Sequence, residues 1–152
     1  MDMKARPKVP HITVEYTPDL ADELDVDTLL GDLHETALGL GVFPRWGTRT
    51  LAVPATACRV ADRPESGPGS GHVQIKLMIM PGRPDEVRSR VADEMFAAAE
   101  RTLAPLAARR PLGFQLTITE LDPAVTRTGG SIPGSPTYRA EAPEAPEAPG
   151  TA

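Results

Sequence analysis

Val73-Gln74-Ile75-Lys76-Leu77-Met78-Ile79-Met80 carries Val, Ile, Leu and Ile at every second position. A period of two marks a strand with one face in a core. Pro81-Gly82-Arg83-Pro84-Asp85-Glu86 follows as a turn feeding a helix. Pro84 suits the first helical position, and the two acids behind it suit the positive end of the helix dipole. Val87, Val91, Met95, Ala98, Leu103 and Leu106 then recur at helical spacing. They predict a helix running to about Ala108, bent or ended by Pro105. Phe114, Leu116 and Ile118 return to a period of two, which predicts a strand through about Glu120. This half of the chain reads β-α-β.

The same plan appears on the N-terminal side. Ile12-Thr13-Val14-Glu15-Tyr16 alternates as a half-buried strand, and Thr17-Pro18-Asp19 is a turn. Val26, Leu29, Leu30, Leu33, Ala37 and Leu40 share one helical face, with Asp22, Glu23, Asp25 and Asp27 expected in its first turns and Gly39 and Gly41 at its end. An extended stretch from about Thr48 to Val60 follows. Pro54 inside it predicts an edge strand or two short pieces. Asp62 to Gly71 is a loop rich in Gly, Pro and Ser. Its glycines resemble a phosphate-cradling loop only in composition, lacking the lysine and following helix. Two β-α-β halves imply a pseudo-repeat of α/β-type units with parallel strands inside each half. Past Asp122 the pattern disappears, and the chain ends in Glu-Ala-Pro repeats with too little apolar content to offset the entropy of ordering. The expected organisation is an extension at 1–9, a domain at 10–121 and a tail at 122–152, disordered at its end, with 122–138 available to pack on a neighbouring subunit.

A length of 152 residues suits one domain. No apolar run approaches the roughly 18 residues that span a bilayer, and no apolar stretch follows the basic residues of the first ten. A single cysteine, Cys58, excludes an internal disulfide and fits a cytoplasmic protein; it reads as a small buried apolar group. A net charge of −5 and the lack of a basic stripe with interleaved aromatics argue against nucleic acid as partner. His11, His34 and His72 share no metal-ligand spacing. His11 points away from Ile12, which suggests a structural or interface role; His34 reads as solvated. Trp46 and Phe43 serve equally as pocket lining or as packing.

Three segments carry a resemblance: Pro10-His11-Ile12-Thr13-Val14-Glu15; Gly41-Val42-Phe43-Pro44 with Arg49 beyond it; and Lys76-Leu77-Met78-Ile79 leading to Pro81-Gly82-Arg83. In order and spacing the chain resembles the 5-carboxymethyl-2-hydroxymuconate isomerase family of the tautomerase superfamily over about residues 10 to 123. The resemblance implies an α+β fold of the tautomerase (MIF-like) kind, with a four-stranded sheet, two helices on one face and assembly as a homotrimer. It implies a bacterial, cytoplasmic isomerase of aromatic-compound catabolism that needs no cofactor and no metal. The substrate implied is a small carboxylate-bearing 2-hydroxymuconate, on which the enzyme performs a 1,3-proton shift. Pro10 matches the family's N-terminal proline, the catalytic base, and Arg49 and Arg83 match its substrate-binding arginines.

The residues agree with that chemistry. A terminal α-amino group titrates at about 7.7–8.0, and burial beside cations lowers it toward the operating pH that suits a general base. Guanidinium groups also grip carboxylates in two-pronged fashion. Arg83 has a second rationale, standing just before a predicted helix start where free N–H groups favour an anion. One departure matters: nine residues precede Pro10, and with them in place its nitrogen is a non-basic amide. The expectation is a start at Val9, whose codon in a GC-rich bacterial gene is often GTG and can initiate with methionine, leaving proline first once methionine is removed. Thirteen arginines against three lysines agree with such a gene, and two lysines, Lys4 and Lys8, precede Pro10. Two other readings stay open. One is a carboxylate-binding or scaffold protein whose Pro10 is blocked; the other is a different reaction of the superfamily, such as another tautomerisation, a decarboxylation or a dehalogenation.

Overall fold

The computed structural model describes residues 9–136. Its regular elements are β1 (His11–Tyr16), α1 (Val26–Gly39), β2 (Arg49–Pro54), β3 (Gly71–Ile79), α2 (Asp85–Ala107) and β4 (Leu112–Glu120), with short 3-10 turns at Pro18–Leu20, Arg45–Gly47 and Pro123–Val125. The strands form one sheet in the order β2-β1-β3-β4. Strand β1 runs parallel to β2, β3 runs parallel to β4, and β1 meets β3 antiparallel. Each half is therefore a βαβ unit with a parallel pair, as the pseudo-repeat predicts.

Alternation decides which face is covered. Ile12 and Val14 of β1 and Val73, Ile75, Leu77 and Ile79 of β3 are fully buried. They share one core with Leu29, Leu33 and Ala37 of α1 and Val91, Met95, Ala98 and Leu103 of α2. Burying one such large side chain contributes about 1.5–3 kcal/mol. Both helices thus cover the same face. On β4, Leu112, Phe114, Leu116 and Ile118 are only partly buried, because that strand is an edge. Phe114 stacks on Phe96 of α2 with ring centroids 5.4 Å apart.

The antiparallel join between halves has a consequence for the site. The first residues of β1 and β2 lie at the same end of the sheet as the last residues of β3 and β4. Pro10, Arg49, Met80 and Glu120 thereby gather at one end.

Several sequence expectations shift at the edges of elements. Asp22 and Glu23 precede α1 instead of filling its first turns. Leu20 and Leu24 on either side of them are buried, and Asp25 fixes the helix start by accepting from the Thr28 amide at 3.1 Å and hydroxyl at 2.8 Å. Pro84 is the capping residue, with ψ of 157°, so α2 opens at Asp85. Pro105 lies inside α2 close to its end at Ala107. Of the stretch 48–60, only Arg49–Pro54 pairs, as an edge strand ended by its proline. His34, expected to be solvated, is half-buried: its Nδ1 lies 2.9 Å from the Thr50 hydroxyl and ties α1 to β2. The Glu-Ala-Pro repeats, expected to be disordered, lie outside the described residues, as do positions 1–8. No helix among the described residues is long and apolar enough to cross a membrane.

Candidate active site

Arg49 is placed by the turn before it. The Gly47 amide donates to the Pro44 carbonyl at 3.1 Å, and the buried Thr48 hydroxyl donates to the same carbonyl at 3.0 Å. Strand β2 then starts against Pro10, whose carbonyl accepts from the Arg49 amide at 3.2 Å. Arg49 is thus the direct sheet neighbour of the residue that carries the nitrogen of interest. His11 stands in register with both Arg49 and Met78. In-register side chains share a face, so all three project from the face that the helices leave open.

That end of the sheet holds a cavity of about 450 Å³. Val9, His11, Arg49 and Met78 line it from the starts of β1 and β2 and the end of β3, and Leu121 with residues 126–129 line it from the chain after β4. Among the described residues no Asp or Glu lines it. Arg49 forms no ion pair with any described carboxylate. Burial and the Arg49 charge hold the His11 imidazole below its ordinary value of 6.5. An open cation facing an acid-free cavity is an arrangement that takes a carboxylate.

Val9 is 4% exposed, and Pro10 is buried with it. The Val9–Pro10 peptide bond is thus held at the cavity edge, where an amide nitrogen takes no proton.

Arg83 is at the same end of the sheet but does not line this cavity. Gly82, with φ of 113°, turns the chain after β3 so that the Arg83 guanidinium reaches back. It donates to the Met80 carbonyl and to the Val42 carbonyl, each at 3.0 Å, and lies 5.0 Å from the Phe43 ring centre. Burial pulls its pKa below the usual guanidinium value, partly offset by Glu120. Glu120 is itself paired with Arg88 at 2.5 Å. The two segments Gly41–Pro44 and Pro81–Arg83 are therefore two sides of one clamp. Phe43 is core packing within that clamp, and Trp46 faces Gly134, where an added Cβ would stand 3.5 Å from it, and does not line the cavity.

A family model for 5-carboxymethyl-2-hydroxymuconate isomerase matches residues 10–133. The chain belongs to that family. The 5-carboxymethyl-2-hydroxymuconate Delta-isomerase of Escherichia coli is 26% identical over 117 residues, covering 77% of this chain and 90% of that protein. Two crystal structures are similar throughout. One, a 5-carboxymethyl-2-hydroxymuconate delta-isomerase, has TM-score 0.76 and 26% identity over 82% of this chain and 90% of its own. The other, a 5-carboxymethyl-2-hydroxymuconate isomerase from Deinococcus radiodurans R1, has TM-score 0.75 and 30% identity over 84% and 94%. A malonate semialdehyde decarboxylase, at 22% identity and TM-score 0.52, shares the fold. Membership makes the chain an isomerase of the tautomerase superfamily.

For a member of the 5-carboxymethyl-2-hydroxymuconate isomerase family, two cavity residues fall outside the matched set of Pro10, Arg49 and Arg83. His11 was expected in a structural or interface role, yet its strand position aims it at the cavity. Its parity with Thr13 was the available signal; that Arg49 would stand beside it depends on strand order. Arg127 comes from a stretch with no periodic pattern, and nothing local in the sequence marks it.

Proposed function

We propose that this isomerase performs a cofactor-independent 1,3-proton shift on a carboxylate-bearing 2-hydroxymuconate, using the secondary amine of Pro10 once the residues before it are removed. In that step the enol O–H bond breaks and its proton passes to the proline nitrogen. A C=O bond forms, the adjacent π pair moves to carbon, and the nitrogen returns the proton there as a new C–H bond. No redox partner is needed. The observation that supports this reading most is the direct pairing of Pro10 with Arg49 at a cavity that no described Asp or Glu lines. Arg49 would hold a substrate carboxylate and lower the amine's proton affinity. Removing Val9 would also vacate space at the cavity edge, since Val9 is one of its walls. Arg83 is read as a further carboxylate-binding residue, whose guanidinium must leave part of its clamp to serve.

The unit proposed to act is the domain from Pro10 to 121 together with the start of the tail that lines its cavity, working in the cytoplasm of a bacterium that degrades aromatic compounds, as a homotrimer. The open sheet face supports assembly: Leu51 is 49% exposed, Val53 47% and Met78 36%, an apolar surface that a neighbouring copy would cover. Intact mass and N-terminal sequencing of the active protein from its own host test the base. The expected active species begins at Pro10; an active species beginning at Met1 or Met3 overturns it.

The burial of Val9 favours a second reading, a carboxylate-binding protein of this fold that keeps its extension and performs no proton transfer. Such a protein binds muconates without turning them over.

A further inference from the structure

The wall of the cavity opposite Arg49 is built by chain that follows the last strand. At the end of β4, the Asp122 carboxylate accepts from the Ala124 amide at 2.9 Å, and the Thr126 hydroxyl donates to the Asp122 carbonyl at 2.7 Å. This local turn, Pro123–Val125, reverses the chain. Residues 126–129 then line the same cavity as His11 and Met78 of the two central strands. Farther on, Gly134 approaches the Trp46 side chain just ahead of β2; a Cβ there would stand 3.5 Å from it. The segment therefore leaves the β4 edge, crosses the end of the sheet and reaches the opposite edge within one chain.

Arg127 is the one charged side chain that this segment adds to the cavity. Its Nη1 donates to the Ala124 and Thr126 carbonyls, at 3.1 and 3.2 Å. Those bonds hold the guanidinium by one corner. Among the described residues no carboxylate pairs with it, in contrast to Arg88, Arg90, Arg101 and Arg110. The remaining Nε and Nη2 edge has the two parallel N–H groups that match a carboxylate.

We infer that Arg127 binds the second carboxylate of the substrate across the cavity from Arg49, and so selects dicarboxylates over monocarboxylates. The assignment rests on the reading of the cavity as a carboxylate site and deepens it. A muconate is a hexadienedioate with an anion at each end. One arginine on the strand side and one on the tail side supply a cation for each end, with the apolar Met78 and Leu121 along the carbon chain between them.

Binding to the full chain, read by calorimetry, separates this assignment from the question of the base. The probes are muconate and sorbate, which share a six-carbon diene but differ by one carboxylate. Replacing Arg127→Ala is expected to raise the Kd ratio of muconate to sorbate at least about tenfold, the effect of one lost charge-assisted pair. Arg127→Lys is expected to recover part of the ratio, since charge returns without the fork. An unchanged ratio, or equal weakening of both probes, overturns the assignment. A parent chain that binds no muconate overturns it together with the carboxylate reading. A shifted ratio in a chain that turns over no substrate removes Pro10 as base and leaves Arg127 in place.

Discussion

Arg49 and Arg83 are both matched to substrate carboxylates, yet their surroundings differ. Arg49 is exposed and unpaired among the described residues, whereas Arg83 donates to two backbone carbonyls from different loops. Hydrogen bonds from a charged donor contribute about 1.5–3 kcal/mol each. Arg83→Ala is therefore expected to lower unfolding free energy by about 2 kcal/mol or more in urea titrations, and Arg49→Ala by less than about 0.5 kcal/mol. In turnover assays, Arg49→Ala is expected to raise KM for dicarboxylates at least about tenfold. Equal stability losses for the two would contradict the clamp. His11 supplies a pH prediction. Its pKa in the fold is lowered below 6.5 by burial and by Arg49, and Arg127 lines the same cavity. The unfolded chain then binds the proton more tightly, so stability falls as pH drops through 6.5 toward the folded value. Melting curves between pH 7.5 and pH 5 should lose part of that slope in His11→Gln; an unaltered slope excludes this histidine. Pro10 and Arg49 were legible as a pair only through their spacing to other motifs. The clamp around Arg83 was not, because it depends on two loops meeting that lie 41 residues apart in sequence.

At the level of elements the sequence pattern was nearly sufficient. The alternation in Val73 to Ile79 and the helical spacing from Val87 to Leu106 name the faces that the core uses. Element ends were less legible, since they depend on local capping. Asp25 is a cap because of its bonds to Thr28, and the neighbouring acids look the same in the sequence. The tail's short turn at Asp122 was missed for the same reason: it is made by local bonds to Asp122, from the Ala124 and Val125 amides and the Thr126 hydroxyl. The two helix faces meet in one core, so truncation on either should be felt by both halves. Leu33→Ala and Met95→Ala, both fully buried, are each expected to cost about 2–5 kcal/mol in denaturant unfolding. A loss below 1 kcal/mol at either site would mean that its helix is not held by this core.

For the whole molecule, the antiparallel join of two parallel halves brings the chemistry to one end of the sheet and leaves one face uncovered. That face carries Leu51 and Val53 on an edge strand and Met78 near the cavity. If three copies cover it, Leu51→Glu combined with Val53→Glu should give monomers in sedimentation-velocity runs, while the parent runs as a trimer. A monomeric parent would contradict the proposed assembly. The proposed chemistry depends on one nitrogen, that of Pro10. Two forms of the protein, one beginning at Pro10 and one at Met1, followed by ultraviolet spectroscopy on a 2-hydroxymuconate, test it most directly. Turnover is expected from the form that begins at Pro10 and none from the other; equal rates from both would contradict Pro10 as the base.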